Sequence, residues 1–305
     1  MTDAPLPPAA PQSDLTTRFA MGVAMIAVAS LVTWFGGWPF RVLALIAAAI
    51  MLVEWADMHK VKRLWAWIGA VLLAAILLGG IEYFYPNATP TLDDDTIIVL
   101  DSDDFQPVLW AFAWIAGLGI ALGIAARRVA MGWGFVYVAI PCFALLVLSW
   151  AHAGLVFWVL IVTWATDIFA YFAGRGIGGP KLAPRISPNK TWAGLIGGMA
   201  GAALFGWLTA RFFGLGMPFP WAGAAMGLIA QLGDLYESWE KRRAGVKDSG
   251  TLLPGHGGVL DRLDGLLAVS LATMILVLAG WWHPPEPIEV PDTVMVMHVA
   301  PDRAG

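Results

Sequence analysis

The chain has 305 residues, of which 59% are hydrophobic and only 13% are charged, and its formal net charge is −4. This composition excludes an ordinary water-soluble domain and a disordered chain, and it argues against a soluble nucleic-acid-binding protein. The single cysteine, Cys142, has no partner in the chain, which excludes a disulfide scaffold. The composition therefore predicts an integral membrane protein.

Apolar runs of about 20 residues, the length that a helix needs to cross a bilayer, follow one another along most of the chain. They cover 18–36, 38–57, 64–84, 107–126, 131–150, 153–174, 193–213, 217–237 and 259–282. The expected fold class is therefore all-α, a polytopic membrane protein with about nine transmembrane helices. Residues 1–17 are expected to be a disordered Pro-rich tail rather than a cleaved signal, 18–283 the membrane domain, and 284–305 a polar tail.

Basic residues cluster in every second gap between the runs, which predicts the orientation, because positively charged short loops stay in the cytoplasm. Fourteen of the eighteen Lys and Arg residues lie in or beside the gaps after the second, fourth, sixth and eighth runs. The gap between the third and fourth runs contains aspartates and no base. The N-terminus is therefore expected inside the cell, and the C-terminus outside.

The gap at about 175–192 contains a Gly-rich turn followed by Ser187 and Lys190, and Asp167 lies just before it. Gly174, Gly176 and Gly179 formally match the dinucleotide pattern GxGxxG. A helix rather than a strand is expected before them, which argues against that interpretation. The turn and its bases either bind phosphate or only set the topology.

Two pairs of carboxylates flank the next cytoplasmic gap, at about 238–258. Asp234 and Glu237 are three residues apart, as are Asp261 and Asp264, so each pair shares a helix face. Four acids at a membrane edge repel one another unless cations lie among them, and oxygen ligands suit Mg²⁺ shared with substrate phosphates. Alternatively, or in addition, the acids pair with nearby bases, namely Lys241, Arg242, Lys247 and Arg262. We predict a metal and phosphate site here.

His256 lies in this gap among Gly255, Gly257 and Gly258. Glycines permit close backbone approach to a ligand, so His256 is expected to face a ligand, although a structural hydrogen bond is the alternative.

The 238–264 segment resembles the C-terminal signature of the phosphatidate cytidylyltransferases, also called CDP-diacylglycerol synthases. The matching residues are Ser238, Lys241, Arg242, Lys247, Asp248, Pro254, His256, Gly257, Gly258, Asp261, Arg262 and Asp264. A second set resembles the family's other cytoplasmic motif: Asp167, Ala170, Tyr171, Gly174, Arg175, Lys181, Leu182, Pro184, Ile186, Ser187, Pro188, Lys190 and Thr191. Two residues depart from the family pattern. Glu240 replaces a usually apolar residue, and Ala193 replaces a usual Glu.

The resemblance implies transfer of a cytidylyl group from CTP to phosphatidic acid, with release of pyrophosphate, by an enzyme of the inner membrane whose site faces the cytoplasm. It implies Asp234 and Asp261 as principal ligands of Mg²⁺ paired with K⁺, with Glu237 and Asp264 nearby. The implied catalytic residues are Asp234, Asp261, Lys241, Lys247 and Asp264, within a region of about 164–265. The implied substrate contacts are Asp167, Ser187, Lys190, Ser238, Arg242, Asp248, His256 and Arg262.

Three alternatives stay open at this point. A related lipid kinase or an ether-lipid cytidylyltransferase would share much of the chemistry, whereas an ion-coupled transporter would use the acids as ion sites, usually near the bilayer midplane. The resemblance also implies a possible homodimer. Small residues in the seventh run, Gly194, Gly197, Gly198 and Gly201, could pack helices within one subunit or between two.

Overall fold

A computed structural model describes residues 14–84, 106–252 and 257–282. This part of the chain forms nine helices and one two-stranded sheet. The helices are α1 (Asp14–Phe35), α2 (Gly37–Met58), α3 (Arg63–Phe84), α4 (Gln106–Ala125), α5 (Val129–Ala151), α6 (Ala153–Gly176), α7 (Trp192–Phe212), α8 (Phe219–Ala244) and α9 (Leu260–Leu278); the strands are β1 (Lys181–Ala183) and β2 (Ser187–Thr191). Residues 14–17, which the sequence assigns to the N-terminal tail, begin α1, whereas residues 1–13, the predicted C-terminal tail and His256 lie outside the described residues.

The membrane-protein class is confirmed, since five helices in the described ranges are long and apolar enough to cross a membrane: α2, α4, α5, α6 and α7. Two further helices contain shorter apolar segments, Ala20–Phe35 and Arg63–Gly79. Neither α8 nor α9 meets the same criterion, because both contain charged residues, including Asp234 and Asp261. Each predicted apolar run corresponds to one helix, but a count of nine transmembrane spans remains a prediction.

The gap between α6 and α7 departs from the all-α expectation, because it folds into an antiparallel hairpin in which Lys181 pairs with Thr191 and Ala183 with Ser187. Gly178 and Gly179 precede the hairpin with φ of +70° and +92°, a conformation that favours glycine. Thr191 then begins α7, because its Oγ1 accepts a hydrogen bond from the Gly194 nitrogen at 3.0 Å. The hairpin therefore fixes how the chain passes from α6 to α7.

Helix α5 lies at the centre of the bundle and packs against α2, α3, α4, α6 and α9. Its apolar side chains supply much of the core, including Phe135 and Phe143, and Trp55 of α2 and Trp158 of α6 are fully buried beside other helices. The Trp158 indole donates to the carbonyl of Gly206 at 2.9 Å, and so no buried polar atom is left unpaired there.

The glycine face of α7 packs within the subunit, against α6. A methyl group at Gly194 would lie 3.0 Å from the Ala170 carbonyl oxygen, and one at Gly198 would lie 2.9 Å from that of Thr166. Larger side chains would separate the two helices, which explains the small-residue pattern. Of the two alternatives left by the sequence, packing within one subunit is the one observed, so this face is unavailable to a second subunit.

The ends of α2 and α8 and the starts of α5 and α9 meet at one end of the bundle, which we call the site edge. Trp55 of α2 donates to the Ala130 carbonyl of α5 at 2.7 Å, and His59 lies 3.3 Å from Glu240 of α8. The hairpin between α6 and α7 belongs to the same edge, because Arg242 of α8 contacts the carbonyl of Ile186. The charged gaps that the sequence assigns to one side of the membrane thus lie together.

Candidate active site

Helix α8 ends immediately after its charged residues. Gly245 adopts the left-handed conformation with φ of +75°, its nitrogen donates to the Arg242 carbonyl at 3.2 Å, and the Val246 nitrogen donates to the Lys241 carbonyl at 2.9 Å. This is a glycine C-cap, which lets the chain leave the helix while satisfying its last carbonyls. Asp234, Ser238 and Lys241 are spaced by four and three residues and therefore share one helix face.

Asp234 is the centre of the first group of contacts. Lys190 of β2 lies 2.6 Å from its Oδ2, and Ser238 donates to its Oδ1 at 3.2 Å. Lys190 also donates to Gln231 of α8 at 2.9 Å. These contacts join the hairpin to α8, and bring one predicted metal ligand and two predicted substrate contacts together.

Lys241 is the centre of the second group and joins α8 to α9. Its ammonium nitrogen lies 2.9 Å from Glu237 and 2.6 Å from Asp261. Burial opposes the charged form of this lysine, which lies beyond the apolar run 217–237. The two carboxylates outweigh that effect, so the pKa of Lys241 is raised above its ordinary value. Lys241 therefore stays positively charged at the site.

Asp261, near the start of α9, also holds the chain on either side of the predicted ligand-binding turn. Its carboxylate accepts hydrogen bonds from the Ser249 nitrogen at 3.0 Å and the Gly258 nitrogen at 2.7 Å. Gly257 has φ of +83°, and a methyl group there would lie 2.7 Å from Asp261. Glycine is therefore required at 257 by both conformation and space.

Glu54 of α2 contacts the same turn from the other side and was not recognised from the sequence. It accepts hydrogen bonds from the backbone nitrogens of Val259 at 2.9 Å and Leu260 at 2.8 Å, and from the Ser249 hydroxyl at 3.3 Å. A carboxylate at the start of a helix satisfies free N–H groups and favours the helix dipole. Gly258 packs against Glu54 and Ser249 with no space for a side chain.

The carboxyl groups of Glu237 and Asp264 are neighbours deep in the cluster. Glu237 is fully buried, and its Oε1 has no hydrogen-bond partner among the described residues. Two neighbouring buried carboxyl groups repel each other unless a cation or a shared proton lies between them. Asp167 of α6 is exposed and interacts electrostatically with Asp234, Lys190 and Arg262.

The predicted acid–base pairing is partly right. Lys241 pairs with acids, but Arg242 instead donates to the carbonyls of Ile186 and Val246, at 3.3 Å and 3.1 Å. Arg242 thus braces the hairpin against the end of α8, and it makes no ion pair with an acid within the described residues. Lys247 and Asp248 are both exposed, and neither makes an ion pair within the described residues.

The predicted metal ligands do not surround one point as they are placed. Within the described residues, no three His, Cys, Asp or Glu side chains are grouped so that they could hold a metal ion. Asp234 is held by Lys190, and Asp261 and Glu237 are held by Lys241. Ser187 begins β2 and is half-buried at the site edge.

Comparison with known proteins identifies the family of this chain. Residues 16–279 match the sequence profile of a family described as "Cytidylyltransferase family". The chain belongs to the cytidylyltransferase family. A phosphatidate cytidylyltransferase of Brucella abortus biovar 1 (strain 9-941) is 35% identical over 282 residues, which cover 88% of this chain and 94% of that protein.

Two shorter matches carry the same protein name. A phosphatidate cytidylyltransferase of Pseudomonas aeruginosa is 41% identical over 166 residues, covering 52% of this chain and 60% of that protein. One of Haemophilus influenzae is 46% identical over 121 residues, covering 37% of this chain and 42% of that protein. As a member of this family, the chain is a nucleotidyltransferase enzyme.

Sequence reasoning about this cytidylyltransferase-family chain missed two residues of the site. Gln231 is a buried polar residue in an otherwise apolar part of α8. Glu54 lies within the apolar run 38–57, whose one other acid, Asp57, is its last residue. An ionisable residue inside an apolar run is costly unless it has a specific partner. That cost is the signal by which Glu54 could have been found.

Proposed function

We propose that this chain transfers the cytidylyl group of CTP to phosphatidic acid, giving CDP-diacylglycerol and pyrophosphate. The reaction is supported by the name of the Brucella abortus relative, because the match to this chain covers 94% of that protein. The observation that carries the proposal is the grouping of Lys190 and Lys241 with Asp234, Glu237 and Asp261 at one end of the bundle. This arrangement suits a nucleoside triphosphate and a lipid phosphate that meet at a membrane edge.

The reaction needs positioning and charge neutralisation more than covalent help from the protein. An oxygen of the lipid phosphate attacks the α-phosphorus of CTP, and the bond from that phosphorus to the β-phosphate oxygen breaks as pyrophosphate leaves. A phosphomonoester is already anionic at neutral pH, so no Ser or Cys nucleophile is required. Lys190 and Lys241 are well placed to neutralise phosphate oxygens, because each is already held at the site edge by carboxylates.

We further propose that the site uses Mg²⁺, paired with K⁺ as a second cation. Glu237 and Asp264 fit a cation, because the two carboxyl groups interact and the buried Glu237 Oε1 lacks a hydrogen-bond donor among the described residues. Asp234 and Asp261 would complete the ligand set on exchanging their lysine partners. A bound Mg²⁺ would neutralise charge that develops on the phosphates. Asp167, Ser187, Ser238, Arg242, Asp248, His256 and Arg262 are proposed as substrate contacts around this centre.

The site edge is proposed to face the cytoplasm of a bacterial-type inner membrane, where CTP is available. Its basic residues support this orientation by the positive-inside rule. Carboxylates near a membrane edge fit a lipid headgroup better than a midplane ion pathway, which separates this proposal from a transporter. Any homodimer would have to use a surface other than the glycine face of α7.

The proposal is tested with purified protein, labelled CTP and a panel of acceptors: phosphatidic acid, its ether-linked analogue, a polyprenol and diacylglycerol. We expect label to enter phosphatidic acid in the presence of Mg²⁺ and to be lost with EDTA. Mg²⁺ or Mn²⁺ should restore transfer and Ca²⁺ should not, given the preference of Mg²⁺ for short octahedral coordination. Labelling of the alcohols instead would contradict the proposal and indicate a lipid kinase.

A further inference from the structure

A cavity of about 560 Å³ lies at the site edge between the end of α2, the start of α5 and the end of α8. Its walls are largely aromatic and are formed by Trp55, Trp133, Tyr236 and Trp239. Trp133 and Tyr236 are joined by a hydrogen bond between the indole nitrogen and the phenol oxygen. These contacts hold the aromatic walls of α5 and α8 together.

The cavity lies on the opposite face of α8 from the proposed active site. Tyr236, Glu240 and Arg243 line it and each follows a residue of the active-site face, Asp234, Ser238 or Lys241, by two positions. Two positions correspond to about 200° around a helix. A molecule in the cavity would therefore contact α8 from behind, without touching the reacting phosphates.

The polar end of the cavity is formed by Glu240, the residue that departs from the family pattern. Glu240 is only 5% exposed and lies 3.3 Å from His59 and 3.1 Å from Arg243. The Arg243 guanidinium also stacks over Trp239 at 4.6 Å, and its side chain is 60% exposed. Glu240 and Trp239 thus hold Arg243 at the mouth with further N–H donors directed to the exterior.

Further positive charge adjoins the residues that line the cavity. Lys60 follows His59 in the chain, and Arg127 and Arg128 precede Val129, which also lines it. All three basic side chains belong to exposed residues and pair with no acid within the described part of the chain. These three bases are sequence neighbours of lining residues, and together with Arg243 they outnumber the one carboxylate that lines the cavity, that of Glu240.

We propose that this cavity binds an anionic phospholipid, with part of an acyl chain against the aromatic walls and the phosphate at Arg243 and the neighbouring bases. Apolar pockets with a few polar groups at one end are typical of ligand sites, and basic pockets between membrane helices bind anionic headgroups. The site is separate from the site for phosphatidic acid as substrate, and its existence does not depend on the proposed reaction.

Binding can be measured directly by native mass spectrometry of delipidated protein to which phosphatidylglycerol or phosphatidylcholine is added. We expect phosphatidylglycerol to bind at least about tenfold more tightly, since each nearby base adds attraction to an anionic headgroup. The double substitution Lys60→Gln and Arg128→Gln, which alters only exposed side chains, should remove most of that preference. Equal binding of the two lipids by the wild type would overturn the proposal, because bases that only set topology select no lipid.

Two further variants separate the cavity from general surface charge. Ala130→Phe fills the cavity while keeping the backbone oxygen that accepts from Trp55, and it should abolish tight binding of phosphatidylglycerol. Arg41→Gln is the matched control, because Arg41 also stacks over a tryptophan, Trp38, but beside a cavity of only about 40 Å³. Undiminished binding in Ala130→Phe, or an equal loss in Arg41→Gln, would overturn the assignment to this cavity.

Discussion

The carboxylate of Glu54 lies 2.8 Å from the backbone nitrogen of Leu260, across 206 positions of the chain. This contact fixes the first residue of α9 to the end of α2. Because Asp261 is the next residue, Glu54 also determines where one proposed catalytic carboxylate lies. A buried acid in the first third of the chain thus helps position a site formed mainly by the last third.

Glu54→Gln tests this positioning role. The amide of glutamine would place a donor against a backbone N–H, so we expect unfolding to become easier by about 1–3 kcal/mol. We also expect kcat to fall more than KM rises, since the substrate contacts would remain while the proposed metal ligand Asp261 is displaced. Ser270→Ala is the control, because it removes a buried hydroxyl of the same helix that donates to Leu267 at 2.9 Å. Equal losses of kcat in both variants would reduce Glu54 to an ordinary structural residue.

Asp234→Asn should lower turnover by about 100-fold or more, since loss of this negative charge weakens binding of the proposed cation that neutralises the reacting phosphates. The protein should remain inserted and folded, as judged by size-exclusion chromatography in detergent. Asp57→Asn is the matched control, because Asp57 also forms an ion pair near this edge, with Arg63 at 2.8 Å, but is exposed. Near wild-type turnover in Asp234→Asn at ordinary Mg²⁺ would refute the assigned role.

Lys247→Arg distinguishes catalysis from topology. If Lys247 contacts phosphate as a compact charge, the larger, planar guanidinium should cut the rate strongly. If the lysine serves only the positive-inside rule, the exchange should be silent. We expect the first result, because Lys247 is exposed and makes no ion pair within the described residues that would otherwise occupy it. Lys60→Arg is the control and should leave the rate unchanged. The rates of both variants are measured at saturating and at limiting CTP.

Thr251→Cys tests the orientation of the site edge. Thr251 is exposed in the loop after α8, whereas its neighbour Ser249 is buried and would give no label on either side. After replacement of the buried Cys142, a membrane-impermeant maleimide should label Thr251→Cys only once the cytoplasmic face is opened. Ser102→Cys, outside the described residues, should react in intact cells. The reversed pattern would place the site away from cytosolic CTP.

The helices were predictable to within a few residues at most ends, because the length of an apolar run is a local property of the sequence. For α8 the predicted run stopped at 237, because the residues that follow are charged. The helix nevertheless continues to Ala244, and some residues of its last turns are buried. The hairpin between Lys181 and Thr191 was not foreseen. Each of its two strands is stabilised by pairing with the other, and each is too short to show a clear alternation of apolar and polar residues.

The charged residues of the site were predictable as a set, but their partners were not. Residues three or four apart, such as Glu237 and Lys241, are neighbours on any helix, so that pair follows from sequence. The contact of Lys190 with Asp234 spans two elements and depends on how the hairpin packs on α8. The same is true of Glu54 and Leu260, whose contact follows from the packing of α2 beside α9.

The most direct measurement of the central claim follows two labels through one reaction. Purified protein in lipid nanodiscs receives phosphatidic acid and CTP labelled either on the α-phosphorus or on the γ-phosphorus. If the chain transfers a cytidylyl group, the α label appears in the lipid and the γ label in pyrophosphate, in equal amounts, and Asp234→Asn yields neither. Appearance of the γ label in the lipid, or of neither label in the lipid with active wild-type preparations, would contradict the account.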